Sequence, residues 1–308
     1  MHWTFLLGAV LFGAGVFAET AVMVRLSAPA KTPLWRVFAT TSLRSVLLWF
    51  CFFSGLFEAL FPAVPSEGVL AALSDPFLWC LLALELAAFS ATLRSWRINA
   101  SVPSVIGTAV FSTMALIPAL TAGLDAVLVF PGSVEMPWGA GVGHLIWMAV
   151  LGSGSLCYFV IRPSRTIPGP WSLLCQVLAM SAAFVFSIRL AQARDPFLVY
   201  ALIDGALATF FGLWALFREG LPSRSSVSAC FRDAAVTVPL SFVSLCSAMT
   251  GARLLPVELA AVAKRTFQAL AGYVLEVLRL RSMAGLRPAE LFLVGAMALF
   301  AIVFVSTH

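Results

Sequence analysis

Charge is what this chain most lacks. Of its 308 residues only 11% are Asp, Glu, Lys or Arg, while 61% are hydrophobic and mean hydropathy is +0.99. That balance rules against a water-soluble enzyme and points to a polytopic membrane protein. Histidine is scarcer still: His2 and His308 are terminal and His144 is alone between them. A haem-carrying membrane subunit, which needs paired axial histidines, is therefore not expected. The cysteines (Cys51, Cys80, Cys157, Cys175, Cys230, Cys246) form no CxxC and no Cys/His spacing. They read as reduced core residues rather than a disulfide frame or metal site. Also missing are a Walker loop, HExxH, GxSxG and a pair of catalytic carboxylates. Without an ATP site a secondary transporter is favoured, with neither enzyme activity nor cofactor expected.

What is present is a series of apolar runs. A helix needs about 20 apolar residues to cross a bilayer. On that ruler the chain divides into ten spans, at 3–26, 34–57, 76–93, 102–122, 139–161, 171–191, 196–217, 233–252, 255–278 and 288–306. Pro33, Asp75-Pro76, Pro137, Pro163, Pro168-Gly169-Pro170, Asp195-Pro196, Pro222 and Pro288 stand at or between the ends, where helices stop and start. Residues 123–138 contain AVLVF and are an alternative short interfacial helix. Val16-Phe17-Ala18 resembles a cleavage site, but no basic segment precedes it, so the first run is kept as a span. The connections are too short for a soluble domain. Trp3, Trp35, Trp79, Trp138 and Trp171 sit near span ends, as an interfacial belt requires.

The net charge of +5 is scattered between spans rather than gathered into a patch, so it reports topology and not a nucleic-acid partner. The odd connections hold Arg25, Lys31, Arg36, Arg94, Arg97, Arg162, Arg165, Arg218, Arg224, Arg232, Arg279, Arg281 and Arg287. The even ones hold Arg189, Arg194 and Arg253. The positive-inside rule then puts the odd connections in the cytoplasm and both termini outside.

The two halves echo each other in pattern. WRINASVPSVIGTAVFSTMALIPALTAG, from Trp96, and GARLLPVELAAVAKRTFQALAGYVLEVL, from Gly251, each give a short basic loop, a proline opening a helix of small residues, and a small or polar turn in mid-span. Five spans per half would place the copies in opposite orientations, with a substrate site near the midplane at their interface. On these segments, and on its length and span count, the chain resembles the drug/metabolite transporter superfamily with two EamA-type halves. The resemblance implies an all-α polytopic membrane protein, with ten transmembrane helices as two inverted five-helix repeats, 1–166 and 167–308. AETAVMVRLS around Glu19 is similar to the first helix of small multidrug resistance proteins, whose membrane glutamate couples proton and substrate. Lys264-Arg265 is similar to the Lys-Arg pair of sugar-phosphate and triose-phosphate translocators, where it holds the substrate phosphate. Two features depart from the family: its termini are usually cytoplasmic, and the glutamate and glycine that often close the fourth span are replaced by Ala122, Gly123 and Asp125.

An ionisable group near the bilayer centre costs at least ~2.5 to 3.5 kcal/mol and normally faces a cavity or a partner. Glu19, Arg44, Glu85, Asp204, Glu258, Lys264 and Arg265 are the candidates. At ~100° per residue, Glu258 and Arg265 share one stripe with Gly272 and Glu276, flanked by Gln268, while Lys264 stands to one side. Arg265 offers a planar fork to a carboxylate or phosphate and Lys264 a point charge; the alternative is that Glu258 and Arg265 pair to hold the bundle and Lys264 snorkels. Glu19 lies among Gly8, Gly13, Ala14, Gly15 and Ala18, which permit close helix approach and leave room for a cavity. Desolvation there suits a proton carrier, and a simple pair with Arg44 or Arg25 is the bland alternative. Glu85 and Asp204 are counter-ions or ligands. Ser101, Ser104, Thr108 and Ser112 form a hydroxyl row that binds substrate or bonds back to its own helix.

The sequence thus predicts a multi-pass permease of the cell (inner or plasma) membrane, a monomer or homodimer in contact with lipid. It would move a small polar, anionic or zwitterionic molecule by alternating access, either proton-coupled or in exchange. Substrate binding falls to Arg265, Lys264, Glu258, Arg44, Glu85, Asp204, Gln268, Ser112 and Thr108, and proton coupling to Glu19. The competing class is a non-transporting membrane subunit or anchor of a larger complex, which would spend the same charges on helix pairing.

Overall fold

A computed structural model of the chain describes residues 2–27, 33–60, 68–98 and 170–255, with isolated helical residues at 146, 149, 260, 267, 271, 292 and 296. The fourth span, the fifth, ninth and tenth spans apart from those single residues and Leu255, the Trp96 and Gly251 echo beyond its described ends, the hydroxyl row, and Glu258, Lys264, Arg265 and Gln268 lie outside the described residues. Within them the chain is helical and without strand: α1 (His2–Ser27), α2 (Pro33–Phe53), α3 (Leu56–Leu60), α4 (Val69–Leu73), α5 (Pro76–Ile98), α6 (Pro170–Ala193), α7 (Pro196–Glu219) and α8 (Arg224–Leu254). Among the described residues three helices are long and apolar enough to cross a membrane: Leu34–Phe53, Pro196–Glu219 and Arg224–Leu254. Shorter apolar stretches occur at Leu7–Glu19, Pro76–Ala88 and Ser181–Ala193.

Local chemistry fixes the helix limits. Asp75-Pro76-Phe77-Leu78 opens α5 and the identical Asp195-Pro196-Phe197-Leu198 opens α7. In each the aspartate Oδ1 accepts the phenylalanine N–H, at 2.9 Å from Phe77 and 2.8 Å from Phe197. The proline occupies a position whose own N–H would have no helical partner. Gly220 ends α7 with φ 70°, a backbone conformation open to glycine, while its N–H reaches Leu216 O. Ser223 then caps α8 by accepting from Ser226 N.

Two expectations are corrected here. Residues 224–232, read as connection, form the first turns of α8, which continues as one helix of 31 residues through Pro239. At 1.5 Å per residue that is about 46 Å, longer than a hydrocarbon layer of about 30 Å. The polar Ser/Arg-rich start is helix that needs no apolar solvent. Arg189, assigned to a connection, is buried within α6.

The helices pack in antiparallel pairs. The start of α2 meets the end of α7, where Glu219 accepts from Leu34 N at 3.0 Å. The start of α5 meets the end of α6 through Asp75 and Arg194. The start of α1 meets the end of α8, where a Cβ on Gly251 would stand 2.7 Å from Gly8 O, and one on Gly15 would stand 2.5 Å from Ser244 O. The small residues of α1 therefore serve close approach to α8. Their most extensive packing joins α1 to α8, α2 to α7 and α5 to α6. α6 and α8 end together, since Gln192 Nε2 donates to Ala252 O and Leu255 O. It follows that α1 runs opposite to α6, α2 to α7 and α5 to α8.

Apolar clusters fill the seams. One joins Leu34, Val37, Leu81, Phe186, Ile203 and Phe211 from α2, α5, α6 and α7; another joins Leu48, Ala201, Leu245 and Met249 from α2, α7 and α8; a third joins Ala39, Ala234 and Val238. At about 25 cal/mol per Å² of apolar surface removed from water, such burial drives soluble folding. Between helices in lipid the same contacts act through dispersion and fit.

Candidate functional site

α2 and α7 bring Arg44 and Asp204 face to face in the middle of the bundle. Arg44 Nε donates to Asp204 Oδ2 and Nη2 to Asp204 Oδ1, a two-pronged fork. Nη1 donates to Ser241 Oγ of α8 at 2.6 Å. Asp204 is fully enclosed, whereas the Arg44 side chain keeps 26% of its surface. Pairing has neutralised the guanidinium without enclosing all of its side chain.

Charges from two further helices act on Arg44. Glu19 of α1 and Glu85 of α5 both act electrostatically on Arg44 and on Tyr200 of α7. Tyr200 in turn hydrogen-bonds Ser187 of α6 through its hydroxyl. Arg44 of α2 is thus acted on from three other helices, by Asp204 of α7 in direct contact and by Glu19 of α1 and Glu85 of α5 through their charge. Hydroxyls surround them: Ser45 Oγ donates to Ala201 O at 2.9 Å, and the Thr40 and Thr237 hydroxyls stand 3.2 Å apart between α2 and α8.

Asp204 is the counter-ion of Arg44, one of the two roles open to it. Glu19 sits in the field of Arg44, but the fork of Arg44 goes to Asp204. Ser241, Tyr200 and Ser187 were not foreseen. Ser241 was legible in principle, because Thr237, Ser241 and Ser244 recur at helical spacing along one face of α8 and all three are buried. Tyr200 is one of only 3 tyrosines in the chain, a rarity that offered a weaker signal. Phe267, of the ninth span, lies against α1 at Gly13.

Two further polar groups close the ends of the bundle. At one end Arg194 Nη2 lies 2.7 Å from Asp75 Oδ2 and Arg253 Nη2 donates to Arg194 O at 2.7 Å. At the other, Arg36 Nε lies 2.8 Å from Asp233 Oδ2, and Trp35 Nε1 donates to Gly220 O at 3.0 Å.

No protein-family model and no curated protein matches this sequence. The chemistry must be read from the geometry itself. Among the described residues no group of His, Cys, Asp and Glu could hold a metal ion. What the cluster offers is paired and unlike charge with hydroxyls, held in an apolar frame where such groups are expensive unless they have a use or a partner.

Proposed function

We propose that the chain is a secondary transporter, not an enzyme, that moves a small polar metabolite, anionic or zwitterionic, across the cell (inner or plasma) membrane by alternating access. The observation that carries this reading is that Arg44 is held by Asp204 in direct contact and acted on by the charges of Glu19 and Glu85, each from a different helix. Ionisable groups inside a membrane bundle are costly, and substrate and proton pathways are where such groups are put to use.

The order of helices supports a ten-span architecture of two inverted five-helix halves, 1–166 and 167–308. Exchanging α1 with α6, α2 with α7 and α5 with α8 maps the α1–α8 seam onto the α5–α6 seam and leaves the α2–α7 seam in place. In each exchange the two helices run in opposite directions, as inverted repeats demand. The Arg44–Asp204 pair lies on the seam the exchange leaves unmoved, where an inverted-repeat transporter holds its substrate.

In this reading Asp204 holds Arg44, so capture of an anionic group falls chiefly to Arg265, with Lys264 beside it. Glu85 and Glu258 meet an amino or hydroxyl group, and Gln268, Thr108 and Ser112 add neutral hydrogen bonds. Glu19 carries the proton. Uptake of labelled organic anions and amino acids into proteoliposomes tests it: a saturable signal from one substrate, abolished by Arg265→Ala in a protein that still folds, is expected. No uptake of any substrate, together with an unchanged cellular phenotype for Arg265→Ala, would overturn it.

One observation favours the other reading, a non-transporting subunit or anchor. Arg44 has its fork on Asp204 and its remaining nitrogen on Ser241, which is how a purely structural pair would look. Such a subunit would keep its assembly function when the pair is replaced by apolar residues of similar size.

A further inference from the structure

At the Asp75/Asp195 end of the described helices, polar contacts join four helix ends at once. Two identical caps, Asp75-Pro76-Phe77 and Asp195-Pro196-Phe197, stand there together, and each aspartate has an arginine partner. Asp75 Oδ2 is 2.7 Å from Arg194 Nη2, and Asp195 interacts electrostatically with Arg253. Arg253 Nη2 donates to Arg194 O at 2.7 Å and so joins the two pairs. Gln192 Nε2 reaches Ala252 O and Leu255 O at 2.8 and 2.9 Å, satisfying carbonyls at the end of α8. The starts of α5 and α7 and the ends of α6 and α8 thus meet through polar contacts.

These contacts are buried but not ideal. Asp75 and Asp195 are buried. The Arg194–Asp75 contact is close in distance yet lacks hydrogen-bond alignment, and Gln192 Oε1 has no hydrogen-bond partner among the described residues. Burial pushes the Asp195 carboxyl above the usual carboxylate range, although the N–H groups of Phe197 and Leu198 and the charge of Arg253 oppose this. Every one of these groups would be well solvated in water. Where such contacts open to water, water takes the place of each lost partner and the net loss is small.

We propose that this four-residue network, Asp75, Arg194, Asp195 and Arg253, is a releasable latch that shuts one end of the bundle, and that its release opens the route from that side to the Arg44–Asp204 neighbourhood. The proposal rests on the transport reading, but its test needs no substrate. A variant with all six cysteines replaced by serine carries Ser187→Cys as an interior reporter. In a parallel sample Leu221→Cys, 84% exposed at the opposite end, identifies which side is which. The rate of labelling by a membrane-impermeant maleimide is measured from each side of sealed vesicles. Arg194→Ala should raise reporter labelling from the latch side by about tenfold, a shift typical of a biased two-state equilibrium, with no rise from the other side.

Asp75→Asn keeps the cap acceptor on Phe77 N and removes only the charge; it should act in the same direction and guards against misfolding of Arg194→Ala. Unchanged labelling in both folded variants would overturn the latch, as would an equal rise from both sides, which would mean general loosening. If labelling behaves as expected but no substrate is taken up in proteoliposomes, the latch stands and the transport reading fails. If uptake is found while labelling does not respond, the latch alone is wrong.

Discussion

The mid-bundle pair and the latch end use the same chemistry to different effect. Arg44 and Asp204 meet between the centres of α2 and α7, with Leu34, Val37 and Phe211 in an apolar cluster toward one end and Leu48, Ala201 and Leu245 in another toward the other. Asp75, Arg194, Asp195 and Arg253 meet at helix ends, with the backbone carbonyl of Arg194 among their partners. The two pairs are almost equally enclosed, Arg44 and Asp204 keeping 26% and 0% of their side-chain surface and Arg194 and Asp75 25% and 4%, so what separates them is place along the helix. On the latch proposal the comparison teaches that position along the helix, rather than the type of ion pair, separates the mid-helix pair, a fixed pivot, from a contact that can open.

The most damaging way to break this comparison is to leave one charge of the pivot alone. Asp204→Leu strands a guanidinium among apolar helices, and loss of about 3 to 5 kcal/mol is expected, read as a large drop in the detergent melting temperature. Arg44→Leu should behave alike. Next is the seam that holds α1 in place: Gly251→Leu would drive a side chain into Gly8 O and Phe12. A loss of about 1 to 3 kcal/mol is expected from overpacking, and Gly251→Ala should fall below it in the same melting assay. Least affected should be the end opposite the latch. The side chain of Asp233 keeps 20% of its surface where that of Asp204 keeps none, so Arg36→Ala leaves its partner within reach of water and should cost less than either change at the pivot. A larger loss would mean that this end is held as firmly as the pivot.

Helix limits were the most legible part. The expected spans 3–26, 171–191 and 196–217 differ by no more than two residues at either end from α1, α6 and α7, because Pro33, Pro170 and Asp195-Pro196 are local signals acting on the backbone beside them. The extension of α8 was not legible by hydropathy, which measures what a bilayer accepts and is silent about a helix continuing into water. The second span, set at 34–57, is broken at Ser54 and Gly55, where φ of 66° ends α2, a stop that an apolar count does not register.

For the site, single residues were legible and their partners were not. The cost of burying charge marks Glu19, Arg44, Glu85 and Asp204 one at a time. Which of them meet depends on how helices 160 residues apart in sequence are arranged, and helical periodicity carries no information about that. The twin Asp-Pro-Phe-Leu segments were visible as two helix starts, but only their juxtaposition at one end gives them a common use.

The measurement that tests the account most directly is proteoliposome uptake by the double variant Arg44→Leu/Asp204→Leu. Replacing both charges removes the stranded-ion penalty, so folding close to that of the parent is expected. If the pair stands at a transport site, that well-folded variant loses uptake of a substrate that the parent carries. Retention of both stability and full uptake would contradict the account and reduce Arg44 and Asp204 to helix glue.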